Sequence, residues 1–252
     1  LTGKDVWSFV TALGALSAVL LFVFKDTILG FVASVQIAVN DTVRIGDWIS
    51  MPQNKADGDV ISVSLSTVQV QNFDKTITSI PTYKLISESF INWRGMSESD
   101  GRRIKRSLLI KVSSIRFLEP EEIKKIEQIE LLAAFLKERA AEIEAANSSK
   151  KVNKNLLING RNFTNLGLFR NYTETYLENH PMVNSEMTVM CRQLAPTAQG
   201  IPLEVYVFSI DKDWKNYEHI SADIFDHLLA STKYFSLECF ELSPQIPIQN
   251  PS

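Results

Sequence analysis

Charge is missing where a soluble domain would normally carry it. Residues 6–24 contain no ionisable side chain, and residues 27–39 again contain none. Histidine and cysteine are nearly as scarce. His180, His219 and His227 are the only histidines, and Cys191 and Cys239 the only cysteines. The two cysteines lie far apart, so neither a disulfide framework nor a thiolate metal site is expected. His219 and His227 lie eight residues apart, too far to chelate one metal from a helix. No nucleophile elbow, zinc-helix, P-loop or dinucleotide fingerprint occurs, so the reading is of a non-enzyme with no cofactor and no metal. The formal net charge of −3 over 252 residues is too small to indicate nucleic acid as a partner. What the chain does have is apolar weight, 45% of its residues, concentrated in its first forty positions.

A helix over the 19 uncharged residues 6–24 would reach roughly 28 Å, close to the ~30 Å hydrocarbon thickness of a bilayer. Amphipathic helices of soluble domains keep a charged face, so membrane spanning is the better reading. Small residues mark one side. Gly14 and Ala18 are four residues apart with Ala15 beside them, and Gly30, Ser34 and Ala38 repeat at the same interval. Small side chains let helix backbones approach in lipid, which points to self-association. Lys25 and Asp26 stand between the two apolar runs, and burying both in a core would be costly. They are read as a break between two helices, with Gly30 as a second place to bend. Ala18, Phe22 and Lys25 share a helical face. If that face lines a pore, Lys25 is wet at its mouth and Phe22 forms an apolar constriction, with Leu21 and Leu29 as alternates. The second run of 13 residues is too short to span and should lie at the interface or pack on the domain after it.

After Asn40 the period changes. Val60, Val63, Leu65, Val68 and Val70 are followed by Phe73, Ile77 and Ile80, with Asp57-Gly58 and Asp74-Lys75 as turn signals. Short alternating strands of this kind predict a compact all-β module over residues 41–97.

The order of motifs is similar to the conserved core of the small-conductance mechanosensitive channel (MscS) family. An apolar helix is followed by "VRIGDWI", by "GDVISVSLSTVQVQNFDKTITSIP" and by "ESFINW". The stretch "FINWRGMSESDGRRIKR" resembles the miniconductance (YbdG-type) branch in particular. The likeness is strong over residues 10–115 and looser beyond. It departs in two places: Thr82 follows Pro81 where the family has asparagine, and Lys25-Asp26 stand where the family has Gln-Gly. The resemblance implies a pore-lining transmembrane helix, a Sm-like β barrel and a ferredoxin-like α/β domain. It also implies a homo-heptamer in a bacterial inner membrane, multi-pass in the full protein, with its C-terminal domains cytoplasmic. Such a channel opens under membrane tension and releases ions and small osmolytes during hypo-osmotic shock. The family's two seal positions fall on Ala18 and Phe22. Membrane lipids and further copies of the chain are the implied partners.

Residues 98–252 read as an α/β domain with an insertion around residues 147–185. The basic "RRIKRSLLIKV" leads into an edge strand, and Glu119-Pro120 opens a helix whose apolar stripe continues to about Ala146. A helix over residues 166–178, strands over 186–194 and 202–209, a helix over 214–230 and a last strand over 236–242 complete β-α-β-β-α-β. Asp211-Lys212-Asp213 reads as a helix cap. The last ten residues read as extended. The competing reading is a membrane-anchored, non-conducting scaffold whose β and α/β domains bind a ligand or RNA. Against RNA stands the lack of an aromatic-and-basic strand face.

Overall fold

A computed structural model describes residues 6–242. The chain divides into two compact units, Leu1–Glu98 and Ser99–Ser252. The extended tail expected over residues 243–252 lies outside the described residues.

The first unit begins with one unbroken helix, α1, Val6–Val39. Lys25, Asp26 and Gly30 all lie within it, which corrects the expectation of two helices meeting there. The physical reason is plain: Lys is a good helix former, Asp costs only a few tenths of a kcal/mol, and no proline removes a backbone donor. A pair of charges is an obstacle to burial, not to helix formation. Five antiparallel strands follow: β1, Trp48–Met51; β2, Ala56–Val63; β3, Thr67–Asn72; β4, Ile77–Pro81; and β5, Ile91–Asn92, in sheet order β4-β3-β2-β1-β5. Two short helices, α2 (Lys84–Ser87) and α3 (Arg94–Glu98), flank β5.

Alternation in sequence becomes alternation in burial. Val60, Val68, Val70 and Ile80 meet Ile49 and Met51 in the core, whereas Leu65 and Ile77 point outward. Asp57-Gly58 is not a turn. Both residues lie inside β2: Asp57 pairs with Ser50 of β1, and Gly58 with Ile49 of β1 and Asn72 of β3. Glycine is required there because a Cβ on Gly58 would stand 2.0 Å from the carbonyl oxygen of Gln71. The Asp74-Lys75 turn does form, with Lys75 in the left-handed region. Thr82, the departure from the resembled pattern, is fully buried. Its hydroxyl donates to the Ser64 carbonyl at 3.2 Å.

The second unit carries a three-stranded antiparallel sheet, β6 (Arg102–Ile110), β7 (Met190–Gln193) and β8 (Ile201–Ser209), in the order β6-β8-β7. Leu203, Val205 and Val207 on β8 are fully buried. Helices α4 (Pro120–Ile126), α5 (Glu130–Ser149), α6 (Asn165–Glu178) and α7 (Trp214–Ser231) complete it. The single apolar stripe expected from Pro120 to Ala146 is thus two helices. Ile129 adopts an extended conformation at the start of α5, so its apolar side chain continues the stripe without continuing the helix. The last expected strand is reduced to one bridge, Cys239 with Ile110, because residues 232–235 tighten into a 3-10 turn ending on left-handed Ser236. Asp213 caps α7, accepting from the Asn216 amide at 3.2 Å.

Candidate pore helix and its junction with the β domain

Residues 6–29 of α1 are all exposed, and the first buried position is Gly30. That makes 24 consecutive helical residues, most of them apolar, that are exposed among the described residues. A soluble core helix would be mostly covered; this one is apolar and bare, and among the described residues it is the one helix long and apolar enough to cross a membrane. Its hydroxyls are satisfied locally: Thr11 donates to the Trp7 carbonyl and Ser17 to the Leu13 carbonyl, each at 2.8 Å. Both groups are thereby made compatible with a non-aqueous surrounding.

Because α1 is continuous, the phase of its side chains advances by about 100° per residue. Gly14, Ala18, Leu21, Phe22, Lys25 and Leu29 then fall within one stripe roughly 100° wide. Phe22 is 82% exposed, and Leu21 and Leu29 are exposed as well. A Cβ placed on Gly14 meets nothing within 4 Å, and Ala15 and Ala18 beside it are exposed. Among the described residues Lys25 and Asp26 form no ion pair, and both face outward. Gly30 differs from its expected role. It sits against the β domain, with a Cβ position 3.2 Å from the Leu65 carbonyl oxygen. Ala33 and Ile37 continue that buried face, Ser34 is half-buried and Ala38 is exposed. The lower end of α1 is therefore anchored on the β domain, and the upper part is not.

The anchor is held by a polar cluster that sequence reasoning did not single out. The helix ends on Asp41 in the left-handed conformation, φ 52°, a C-terminal stop usually given to glycine. A carboxylate at a helix C-terminus opposes the helix dipole. Two arginines offset it: Arg44 Nε donates to Asp41 Oδ1 at 2.6 Å, and Arg94 Nη1 to Asp41 Oδ2 at 3.2 Å. Asp47, 7% exposed, sits at the centre. It accepts from Arg94 Nε at 2.9 Å and Nη2 at 2.5 Å, from Asn92 Nδ2 at 2.9 Å and from the Arg44 amide at 2.8 Å. Burial alone would raise the Asp47 carboxyl, but the Arg94, Arg44 and Asn92 hydrogen bonds outweigh it and hold its pKa at about 2. Asn92 also donates to the Thr42 carbonyl at 3.1 Å, so it joins the segment leaving α1 to Asp47 on one side. Beneath this cluster Trp48 stacks on Trp93 with ring centroids 4.5 Å apart.

The Gly46-Asp47 pair reads from sequence as a turn ahead of Trp48-Ile49, and it is one: Gly46 has φ 90° and β1 begins at Trp48. Arg94, the partner that makes Asp47 a junction, comes 47 residues later and carries no local signal.

The other sequence candidates are accounted for by packing. In β6, Arg102 lies over the Tyr217 ring at 4.3 Å, and Arg106 pairs with Glu218 at 2.7 Å. The basic stretch is thus engaged with α7. His227 Nε2 and Tyr172 Oη share a hydrogen bond of 2.6 Å, and His180 Nδ1 accepts from the Met182 amide. Among the described residues no cluster of ligating side chains could hold a metal. Both cysteines are free thiols, and burial pushes Cys191 up to about 12.

Comparison with known proteins leads to one family. Residues 26–95 match the family model described as "Mechanosensitive ion channel, beta-domain". An uncharacterized MscS family protein of Helicobacter pylori (strain ATCC 700392 / 26695) is 28% identical over 112 residues, 44% of this chain and 17% of that protein. The small-conductance mechanosensitive channel MscMJ of Methanocaldococcus jannaschii is 26% identical over 102 residues, 40% of this chain and 28% of that protein. The chain thus spans less than a third of the length of either relative. Among solved structures, Arabidopsis thaliana MSL1 superposes with a TM-score of 0.63 at 13% identity, covering 95% of this chain and 68% of that one. Helicobacter pylori MscS in its closed state gives 0.59 at 12% identity, covering 99% and 76%. At such identities the structures establish the fold, an apolar N-terminal helix, a β-rich domain and an α/β domain.

Proposed function

From a chain that carries the β domain of the MscS family, whose named relative is a channel and not an enzyme, we propose a subunit of a membrane channel that opens under tension. It passes ions and small solutes during hypo-osmotic shock. The observation that carries this reading is the exposed, apolar upper part of α1, 24 consecutive residues, rising from a foot fixed on the β domain. Apolar surface of that extent needs both lipid and neighbours. In this reading several copies, seven by the resemblance, stand together in a bacterial inner membrane with their C-terminal domains in the cytoplasm. Gly14 and Ala15 allow close approach of adjacent copies. Phe22, with Ala18, Leu21 and Leu29 on the same stripe, forms a dewetted ring, and Lys25 lies wet beside it. The segment from Phe90 to Arg106 supports placing the chain in the miniconductance branch.

Tension favours whichever state occupies more area in the membrane plane, so opening requires these helices to separate. The decisive experiment is reconstitution in liposomes with patch-clamp under graded suction. Step-like currents that begin at a reproducible suction are expected. Silence up to membrane rupture would favour the non-conducting scaffold instead.

A further inference from the structure

Three arginines that are far apart in sequence converge on one cavity in the second unit. The cavity has a volume of about 500 Å³ and is lined by α5, the segment before α6 and the first turns of α6. Its lining includes Arg139, Arg161 and Arg170 together with Phe117, Phe135 and Phe163, and no carboxylate. The volume falls in the range of small-molecule sites, roughly 300–1,000 Å³. We propose that this cavity binds a small organic phosphate carrying an aromatic ring, of the nucleotide class.

The present partners of the arginines are weak ones. Arg139 Nη1 reaches Glu142 at 2.5 Å, Arg161 Nη2 reaches the same carboxylate at 3.8 Å, and Arg170 Nη1 reaches Glu174 at 3.4 Å. These pairs lie at the surface, where an ion pair contributes about 0–1 kcal/mol. One carboxylate serving two guanidiniums leaves positive charge over, and Glu142, outside the lining, competes with an incoming anion for Arg139 and Arg161. The helix end adds little. The Gly167 amide already donates to Thr164 Oγ1 at 3.1 Å, and the Leu166 amide to Asn165 Oδ1 at 2.9 Å. Anion recognition is therefore left to the guanidiniums, whose planar forks match phosphate oxygens two at a time. Half-buried Phe135 and Phe163, with the more exposed Phe117, supply apolar faces on which a flat ring can rest. Inorganic phosphate would use only the first half of this lining, and a neutral nucleoside only the second.

The test is a fluorescence titration of the detergent-solubilised full-length protein with trinitrophenyl-ATP, followed by displacement with ATP, inorganic phosphate or adenosine. Saturable binding is expected, displaced by ATP at concentrations where phosphate and adenosine do nothing. Arg161→Gln and Arg170→Gln should each weaken binding about tenfold, the loss expected for one charge-assisted hydrogen bond. Glu142→Gln should tighten it, a gain that a damaged fold would not produce. The proposal is overturned if binding fails to saturate, if the arginine variants bind as the parent does, or if inorganic phosphate displaces the probe as well as ATP. None of these readouts depends on whether the protein conducts.

Discussion

Asp47 is the residue on which the foot of α1 depends. Its carboxylate is charged at neutral pH because Arg94, Asn92 and the Arg44 amide hold it so. Folding lowers its pKa from 3.8 to about 2, so its contribution is present above the unfolded value and is lost as the pH falls through 4 towards 2. The shift corresponds to a contribution on the order of 2 kcal/mol. Acid titration of the protein, followed by Trp48 and Trp93 fluorescence, should show that loss, and Asp47→Asn should flatten it. Arg94→Ala removes one partner and leaves the other charged in a nearly buried site, which costs about 3 kcal/mol. A thermal midpoint unchanged from the parent would show that solvent already satisfies Asp47. Phe22 makes a different prediction at the same scale. In the proposed closed ring, serine there would remove about 2 kcal/mol of apolar burial per copy. Phe22→Ser should therefore lower the suction at which currents begin, and an unchanged threshold would move the seal to Leu21 or Leu29.

At the scale of elements, β2 offers the sharpest test. A methyl group on Gly58 collides with the Gln71 carbonyl, and the backbone on both sides is held by the sheet. Gly58→Ala should lower stability by about 1–3 kcal/mol, the usual cost of overpacking, read as a drop in melting midpoint. The same glycine shows where sequence reading goes astray. Asp-Gly is a turn signal by propensity, but here glycine answers a demand for space across a sheet, which only the pairing of β2 with β3 creates. Lys25-Asp26 misled in a similar way, since their desolvation cost was taken for a backbone effect. The apolar run of α1 and the period-two pattern of β3 were legible because a single local periodicity decides them. Arg94 and the arginine-lined cavity were not, because their partners come from distant segments. The final strand, reduced to the Cys239 bridge, failed because an alternating pattern does not reveal whether a paired edge is within reach.

For the whole molecule, the prediction concerns assembly. Gly14 has open space where a side chain would go, so a single chain tolerates a larger residue there at no steric cost. Gly14→Leu should leave the folded monomer intact yet reduce the oligomeric fraction in detergent, measured by native mass spectrometry or light scattering. An unchanged oligomer would place the contact on another face of α1. The junction around Asp47 has a mechanical corollary. Twenty-four residues of continuous helix extend roughly 36 Å beyond their buried foot. If that continuous helix moves as one rod, a lean of roughly 10° at its foot swings its far tip sideways by about 6 Å. In the proposed channel, a sideways pull on the far end of α1 would load the charged atoms around Asp47 at its foot.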